Sequence, residues 1–249
     1  MISVKDIHKR FGKQIVLNGI SHDFMPGKIT TVVGPSGVGK SVLLKLILGI
    51  LVPEKGDILI EGHSITLANT EAEKNEIRAN LGVLFQSAAL FDSLTVYDNI
   101  AFPLVERTYL SRPEIHEKVS FMLEALSLQP YYTKLPQEIS LGMRKRVGMA
   151  RSLIMEPKVL LIDEPNTGLD PLVGQEVYDL IKLCHSQWKF TGVVISHELP
   201  EVFQVSDRMI MLLNGKIHLE GTPQDFIDST DLAVQQFIQG RLDGPITIQ

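Results

Sequence analysis

The sequence predicts an α/β fold in which a parallel sheet is covered by helices. Short runs rich in apolar and β-branched residues recur near both ends of the chain, each bounded by Gly or Pro. Two of them, KVLLID and TGVVIS, are almost wholly apolar, which is typical of parallel strands buried on both faces. Helical patterns such as PLVGQEVYDLIKLCHSQW separate several runs, and this order favours a layered core. We expect strands at KITTVVG, GDILIEG, LGVLF, KVLLID, TGVVIS, RMIMLL and GKIHLEG.

The composition is that of an ordinary globular protein, with 44% hydrophobic and 21% charged residues in 249. The net charge of −5, with acids and bases interspersed, gives no reason to expect a nucleic-acid partner. Cys184 is the only cysteine, so an internal disulfide is excluded and a reducing compartment is expected. No window approaches eighteen uninterrupted apolar residues, and the N-terminus lacks a signal-peptide core. Any work on a membrane would therefore go through partners.

The middle of the chain differs from both ends. The stretch RPEIHEKVSFMLEALSLQ has apolar residues at helical spacing, and LGMRKRVGMARSLIME is a second helical pattern that stops before Pro157. We interpret this region as a mainly helical insert within the α/β core. The predicted division is a core of residues 1–86 and 158–239, a helical insert of residues 87–157 and an extended tail of residues 240–249.

The stretch GPSGVGKS follows the predicted strand KITTVV directly and opens an apolar helix. This is the pattern and the context of a P-loop. Glycines allow close backbone approach, so successive N–H groups and the helix N-terminus point at phosphate oxygens. The Lys would reach the β- and γ-phosphates, and the final Ser hydroxyl would bind magnesium. The motif predicts a P-loop NTPase that binds nucleotide through Gly34, Pro35, Ser36, Gly37, Val38, Gly39, Lys40 and Ser41.

A second acidic motif narrows the reaction. The apolar strand KVLLIDEP delivers Asp163 and Glu164 at its carboxyl end, where ligands bind in open α/β sheets. Asp163 would hold magnesium through water, and Glu164 would polarise the water that attacks the γ-phosphorus. An Asp-Glu pair alone is more often a solvated strand end than a catalytic site. In a chain that also has a P-loop, the catalytic interpretation is favoured. No Asn-Lys-x-Asp guanine reader is present, so ATP is favoured over GTP.

Four further residues have both a functional and an ordinary interpretation. Gln86 ends the strand LGVLFQ, where its amide could touch magnesium or the attacking water, or could be a strand-end polar group. Asp170 in NTGLDP could contact nucleotide, or could cap the helix that Pro171 begins. His197 follows the strand GVVIS and could sense the γ-phosphate, or be a hydrogen-bonded loop residue. Phe11 could stack on adenine, or belong to the core.

The order and spacing of these elements resemble those of ABC-transporter nucleotide-binding domains over essentially the whole chain. The A-loop, Walker A, Q-loop, signature, Walker B, D-loop and switch histidine of that family match Phe11, GPSGVGKS, Gln86, ISLGM, VLLIDE, TGLD and His197. The resemblance implies a RecA-like core with a small β-subdomain and a helical subdomain that carries the signature. Within the family, FQSAALFDSLTVYDNIAFPL, a signature ending in Met and the tail QQFIQGRLDGPI are most similar to the ATPases of Mla/Mce phospholipid transporters.

The resemblance also implies partners. It implies a homodimer that sandwiches ATP and Mg²⁺, with Ser140 and the backbone near Gly142 meeting the γ-phosphate held by the other subunit. It further implies an integral-membrane permease pair, an Mce-domain lipid-binding subunit, a small accessory protein and a place on the cytoplasmic face of the inner membrane. Residues Ala88, Ala89, Leu90, Phe91 and Leu94 suit a groove for a permease helix, or internal packing. An importer of polar amino acids and a soluble ABC ATPase are the alternatives.

The signature ISLGM raises one question of its own. Leu141 stands where the family has a glycine, and a positive φ there would strain the turn by about 1–2 kcal/mol. We expect a working contact, with weaker dimer closure or slower hydrolysis than a glycine would give. The basic residues after the turn could help hold nucleotide, but for most of them a solvated helix face is favoured: Arg144, Lys145, Arg146 and Arg151.

Overall fold

The computed structural model describes residues 1–197 and 199–246. These residues form two compact units, one from Met1–Asn80 with Lys189–Gln249 and one from Leu81–Trp188. The predicted α/β class is confirmed, with strands and helices in both units. The finer division at residues 86 and 157 stays a prediction.

The strands are β1 (Ile2–Phe11), β2 (Gln14–Phe24), β3 (Ile29–Val33), β4 (Lys55–Ile60), β5 (His63–Ser64), β6 (Leu81–Leu84), β7 (Val159–Asp163), β8 (Thr191–Ile195), β9 (Arg208–Leu213) and β10 (Lys216–Gly221). The α-helices are α1 (Lys40–Ile47), α2 (Glu71–Arg78), α3 (Val96–Arg107), α4 (Arg112–Ala125), α5 (Leu141–Leu153), α6 (Pro171–Trp188), α7 (Pro223–Ile227) and α8 (Leu232–Gln239). Each of the seven predicted runs contains a strand.

The first unit contains two groups of paired strands. An antiparallel sheet has the order β2-β1-β4-β5, while β10, β9, β3 and β8 neighbour one another in that order. Strand β3 pairs in parallel with both β8 and β9, and all five of its residues are buried. Burial on both faces explains why β3 and β8 contain no charged residue and no alternation of buried and exposed positions. The P-loop therefore starts from a strand that is fixed on both sides.

The first two strands were not among the predicted runs. Strand β1 pairs with β2, but the pairing register shifts between Val4 and Ile7, between Ile7 and His8, and between Lys9 and Arg10. Each irregularity displaces the alternation of buried and exposed side chains, which is the pattern that a strand prediction relies on. Asp6, within the first shift, has φ +48°, a value uncommon for a residue with a side chain.

The apolar stretch VLLKLILGILV, which follows the P-loop, is only partly helical. Helix α1 contains its first half and ends at Ile47, and Gly49 follows with φ +64°. The N–H groups of Ile50 and Leu51 return to the carbonyl of Lys45, so the chain turns away instead of continuing the helix. Within residues 1–197 and 199–246, no helix has both the length and the apolarity needed to cross a membrane.

The second unit pairs β6 in parallel with β7, from Leu81 opposite Val159 to Leu84 opposite Ile162. Helices α3 to α6 accompany this pair. The last of them, α6, buries Tyr178, whose hydroxyl donates to Asn166 Oδ1 at 3.1 Å, and Cys184. Burial raises the pKa of the Cys184 thiol to about 12, so almost no reactive thiolate forms at neutral pH.

Candidate functional site

The P-loop runs from the end of β3 into α1. Its glycines at 34, 37 and 39 have φ values of +141°, +79° and +108°, which residues with side chains rarely adopt. A Cβ on Gly34 would lie 2.3 Å from the carbonyl oxygen of Leu212, so the backbone passes too close to β9 for any side chain. The sequence folds here as a tight loop because glycines stand at the positions that need them.

Lys40 is the first residue of α1 and is only 5% exposed. Its ammonium donates to the carbonyl oxygens of Gly34 at 2.7 Å and Pro35 at 2.9 Å. The side chain thus lies along its own loop, at the positive N-terminal end of the helix. A cation in this position, with the loop N–H groups around it, suits a phosphate group.

A cavity of about 880 Å³ opens beside the loop in the first unit. Its lining includes the loop residues 35–38, His197, Ile15 and Val16. This volume falls within the usual range for small-molecule sites. His197 is exposed and lies just beyond β8, so this predicted residue does share one cavity with the P-loop.

Phe11 is not part of that lining. Its side chain is 48% exposed, and the Lys9 ammonium lies 5.4 Å from the ring centroid. The alternative that Phe11 belongs to the core is therefore wrong.

The segment after α8 folds back toward the same cavity. Gln236, 4% exposed, donates to the carbonyl of Ile246 at 3.0 Å and accepts from its N–H at 2.7 Å. Arg241, Pro245 and Ile246 line the cavity together with the P-loop. The prediction of an extended, strand-like tail is wrong for residues 241–246, because one buried amide holds both ends of a loop. Residues 247–249 of the predicted tail lie outside the described part of the chain.

The acidic half of the site lies at the carboxyl end of β7 in the second unit. Asp163 ends the strand, and Glu164 follows with φ +43°. The Glu164 carboxylate accepts from the Gln86 amide at 3.3 Å and from the Thr167 hydroxyl at 3.2 Å. A positive φ at a residue with a side chain costs about 1–3 kcal/mol, and such strain concentrates at functional sites.

Thr167, in the stretch NTGLDP, also contacts the acidic strand end. It bonds Glu164 twice, because its backbone N–H also reaches the Glu164 carbonyl at 3.3 Å. The two residues are three positions apart, which is the spacing of a turn closed by side chain and backbone together. A hydroxyl residue three positions after Glu164 is the sequence signal that could have predicted this contact.

The signature turn begins α5. Ser140 is the N-cap, and its hydroxyl accepts from the Met143 N–H at 3.3 Å. Leu141 is the first helical residue and is absent from the set of residues with positive φ, so its backbone is not strained. Its side chain is 39% exposed. Any effect of this leucine therefore comes from the bulk of its side chain and not from backbone strain.

Asp170 precedes α6. Its carboxylate accepts from the N–H groups of Leu172 and Val173, both at 3.1 Å. This is the geometry of a helix cap, which was the ordinary interpretation of Asp170. The cap fixes the carboxylate at the helix start, and its predicted nucleotide contact stays a prediction.

The interpretation of the basic residues as a solvated face is wrong for Lys145. Its side chain is fully buried, and its ammonium donates to the backbone carbonyl of Gln86. Arg151 is half-buried and donates to the carbonyls of Ala88 and Ala89, both at 2.8 Å. These cations face the chain that follows β6 and not water.

The structure therefore groups the predicted residues in two sets. The P-loop and His197 surround one cavity of the first unit. Gln86 and Glu164 are hydrogen-bonded in the second unit, with Asp163 next in the chain. The second unit also contains the signature turn and Asp170.

A P-loop, an acidic strand end and a serine-led helix start within one chain are the elements of a nucleotide-hydrolysing domain. The chain belongs to the ABC transporter family, whose model matches residues 17–167, and it is an ATPase of that family. The resemblance read from the sequence motifs is confirmed at this level.

Three similar proteins make the assignment more specific. The chain is 38% identical to the intermembrane phospholipid transport system ATP-binding protein MlaF of Haemophilus influenzae, over 99% of this chain and 93% of that protein. It is 40% identical to the "Probable ribonucleotide transport ATP-binding protein mkl" of Mycobacterium leprae, over 98% and 70%. Its fold is similar to the ATP-binding cassette MJ0796, a dimer in a post-hydrolysis state bound to ADP and Pi. That match has a TM-score of 0.79 at 26% identity, over 90% of this chain and 99% of the other.

Proposed function

We propose that this chain is the ATP-hydrolysing subunit of an ABC transporter that moves phospholipid across or between bacterial membranes. The observation that carries the proposal is the 38% identity, along 99% of the chain, to a phospholipid transport ATP-binding protein. The catalytic motifs themselves do not choose a cargo, because importers of other solutes use the same ones. The chain-wide identity is therefore what separates a lipid transporter from a polar amino acid importer or a soluble ABC ATPase.

In the proposed site, the P-loop holds the phosphates of ATP. The N–H groups of residues 36–39 and the Lys40 ammonium would bind the β- and γ-phosphate oxygens. To do so, Lys40 would exchange its present carbonyl partners for phosphate, which is a stronger, charge-assisted contact. The exposed ring of Phe11 presents a face on which adenine could stack.

The residues predicted to hold magnesium suit that ion. Ser41, Gln86 and Asp163 offer a hydroxyl, an amide oxygen and a carboxylate, which are the hard oxygen donors that Mg²⁺ prefers. With its Nε2 donating to Glu164, Gln86 presents its Oε1 as the oxygen donor. When bound, the ion would offset the phosphate charge.

Glu164 is the proposed general base. The Gln86 amide and the Thr167 hydroxyl donate to the same carboxylate oxygen, Oε2, and orient the group. A carboxylate held at a fixed position could accept a proton from a water molecule in line with the γ-phosphorus. His197, which lines the P-loop cavity, would sense that phosphate.

Two copies are proposed to complete each site. The signature turn of one subunit, with the Ser140 hydroxyl and the N-terminus of α5, would meet the γ-phosphate bound by the other subunit. The similarity to a dimeric cassette bound to ADP and Pi supports this arrangement. Asp170, at the start of α6, would lie near the same interface.

Replacing Leu141 by glycine is expected to tighten ATP-driven dimerisation by a few-fold, because the exposed isobutyl group limits close approach to the partner's nucleotide. The variant Leu141→Ala is the matched control, since it removes the bulk without adding glycine flexibility. If the bulk of the leucine side chain is the cause, both variants should tighten dimerisation to a similar extent. Unchanged dimerisation and ATPase rate in Leu141→Gly, measured by analytical ultracentrifugation and phosphate release, would contradict the expectation.

The proposed membrane partners are a permease pair, an Mce-domain subunit and a small accessory protein, which would place this chain on the cytoplasmic face of the inner membrane. The segment after Gln86 would contact the permease. Ala89 is exposed and Phe91 is 42% exposed, so they offer surface to a partner helix. Ala88 is 1% exposed and serves internal packing instead.

The substrate can be tested with the intact complex. The chain would be purified with its co-purifying membrane proteins and reconstituted in phospholipid vesicles, and ATP-dependent movement of a fluorescent phospholipid would be followed. We expect movement with the native chain and none with Glu164→Gln. ATP-dependent movement of a radiolabelled ribonucleotide, with no lipid movement, would instead favour the activity named for the mycobacterial relative. Ribosomes or DNA ends in place of membrane proteins would contradict the transporter assignment.

A further inference from the structure

One face of α5 contacts the chain that leaves β6. Residues 145, 148 and 151 are spaced three apart, so they lie along the same side of the helix. Lys145 donates to the Gln86 carbonyl, and Arg151 donates to the Ala88 and Ala89 carbonyls. Between them, a Cβ on Gly148 would lie 2.9 Å from Leu84 Cδ1 and 3.0 Å from Ala88 Cβ. We call residues 85–89 the Gln86 turn.

The Gln86 turn has an unusual backbone. Ala88 and Ala89 have φ values of +62° and +45°, although neither is glycine. The N–H of Ala88 donates to the Phe85 carbonyl at 2.8 Å, which closes the turn locally. Two consecutive strained residues persist only where surrounding contacts determine the conformation. Here those contacts come from α5, through the two cations and the close approach at Gly148.

Burying a lysine at this position is energetically unfavourable. The side chain is 0% exposed, and burial of an ammonium is unfavourable unless partners compensate. Burial lowers its pKa, and the nearby Asp163 carboxylate opposes that shift. An apolar side chain of similar volume would fill the space without this cost. The ammonium therefore provides something that packing alone does not, namely a donor to the Gln86 backbone.

We infer that Lys145 is a positioning residue that fixes the Gln86 backbone to the signature helix, so that the Gln86 amide and the Ser140 turn move together. The inference rests on the proposed roles of Gln86 and Ser140. Gln86 in turn bonds the Glu164 carboxylate, so the orientation of the base depends on a fully buried lysine. The P-loop lies in the other compact unit, so we expect loss of this contact to change its affinity for ATP little.

The test compares three substitutions of Lys145. Lys145→Met keeps the volume and removes the donor, and we expect kcat to fall about tenfold while KM for ATP stays within about twofold. Lys145→Gln and Lys145→Arg keep a donor for the Gln86 carbonyl, and both should retain most of the native kcat. Lys182→Met, at an exposed lysine on α6, is the matched control and should leave kcat unchanged. Thermal melting checks that each variant folds.

A double-mutant cycle with Gln86→Ala separates positioning from a general packing effect. If Lys145 acts through Gln86, Lys145→Met should lower kcat no further in the Gln86→Ala background. Multiplicative losses would overturn the inference, and so would native kcat in a folded Lys145→Met variant. Should Lys145→Met fail to fold, a tenfold loss of kcat in folded Lys145→Gln would overturn it as well. Failure of the proposed role of Gln86 looks different, because Gln86→Ala alone would then keep the native kcat.

Discussion

Replacing Glu164 by glutamine is expected to lower kcat for ATP hydrolysis by about 10²- to 10⁴-fold while ATP still binds. Glutamine has nearly the same shape, and its amide oxygen can still accept from Gln86 and Thr167, which bond this side chain. What it loses is the ability to take a proton from water. Both residue types must adopt the same positive φ, so the backbone cost is similar in the two proteins. Phosphate release and nucleotide titration measure the two effects separately.

The same variant should accumulate as an ATP-bound dimer, because closure occurs and the step that reopens it does not. Size-exclusion chromatography with and without ATP would detect this. Glu117→Gln is the control, since Glu117 is an exposed carboxylate of the second unit on α4 and should leave kcat unchanged. A Glu164→Gln protein with native turnover would remove Glu164 from its proposed role.

Replacing Lys40 by alanine is expected to weaken ATP binding by about 100-fold. The substitution removes the cation that the P-loop keeps 2.7 Å from one of its own carbonyls, at the N-terminus of α1. The remaining N–H groups would still face the phosphates, but without the charge-assisted contact. Hydrolysis should fall with binding, and titration calorimetry in the presence of Mg²⁺ measures the affinity directly.

Lys45→Ala controls for the loss of one positive charge on the same helix. Lys45 is exposed and lies in the last turn of α1, away from the loop. It should bind ATP as the native chain does. ATP affinity that is equal in the native and Lys40→Ala proteins, both folded by thermal melting, would contradict the role of Lys40.

The elements that sequence patterns predicted well are those with a local cause. The P-loop lies where its glycines allow dihedral angles that other residues rarely adopt. The strand that ends at Asp163 is continuous and apolar, and Ser140 begins a helix because its hydroxyl caps it. These features depend on residues within one or two turns of chain, and such residues are visible in the sequence.

The elements that were missed depend on distant residues. The burial of Lys145 has no local signal in the sequence. Lysine is rarely buried, and the partner of this one, the Gln86 carbonyl, lies 59 positions away. The fold-back of the tail depends on Gln236, whose amide bonds Ile246. Strand β1 was not predicted, because its irregular pattern of buried residues follows register shifts in its pairing with β2. None of these contacts produces a periodic pattern in the sequence.

The central claim is that the signature turn of one subunit completes the ATP site of the other. Cross-linking of Ser36→Cys and Leu141→Cys in the Glu164→Gln background tests it most directly, because both positions are exposed and the native Cys184 is buried with a raised pKa. We predict that a short bismaleimide gives a covalent dimer that requires ATP and Mg²⁺. Links formed only within one chain, or no dimer under conditions that trap ATP, would contradict the account.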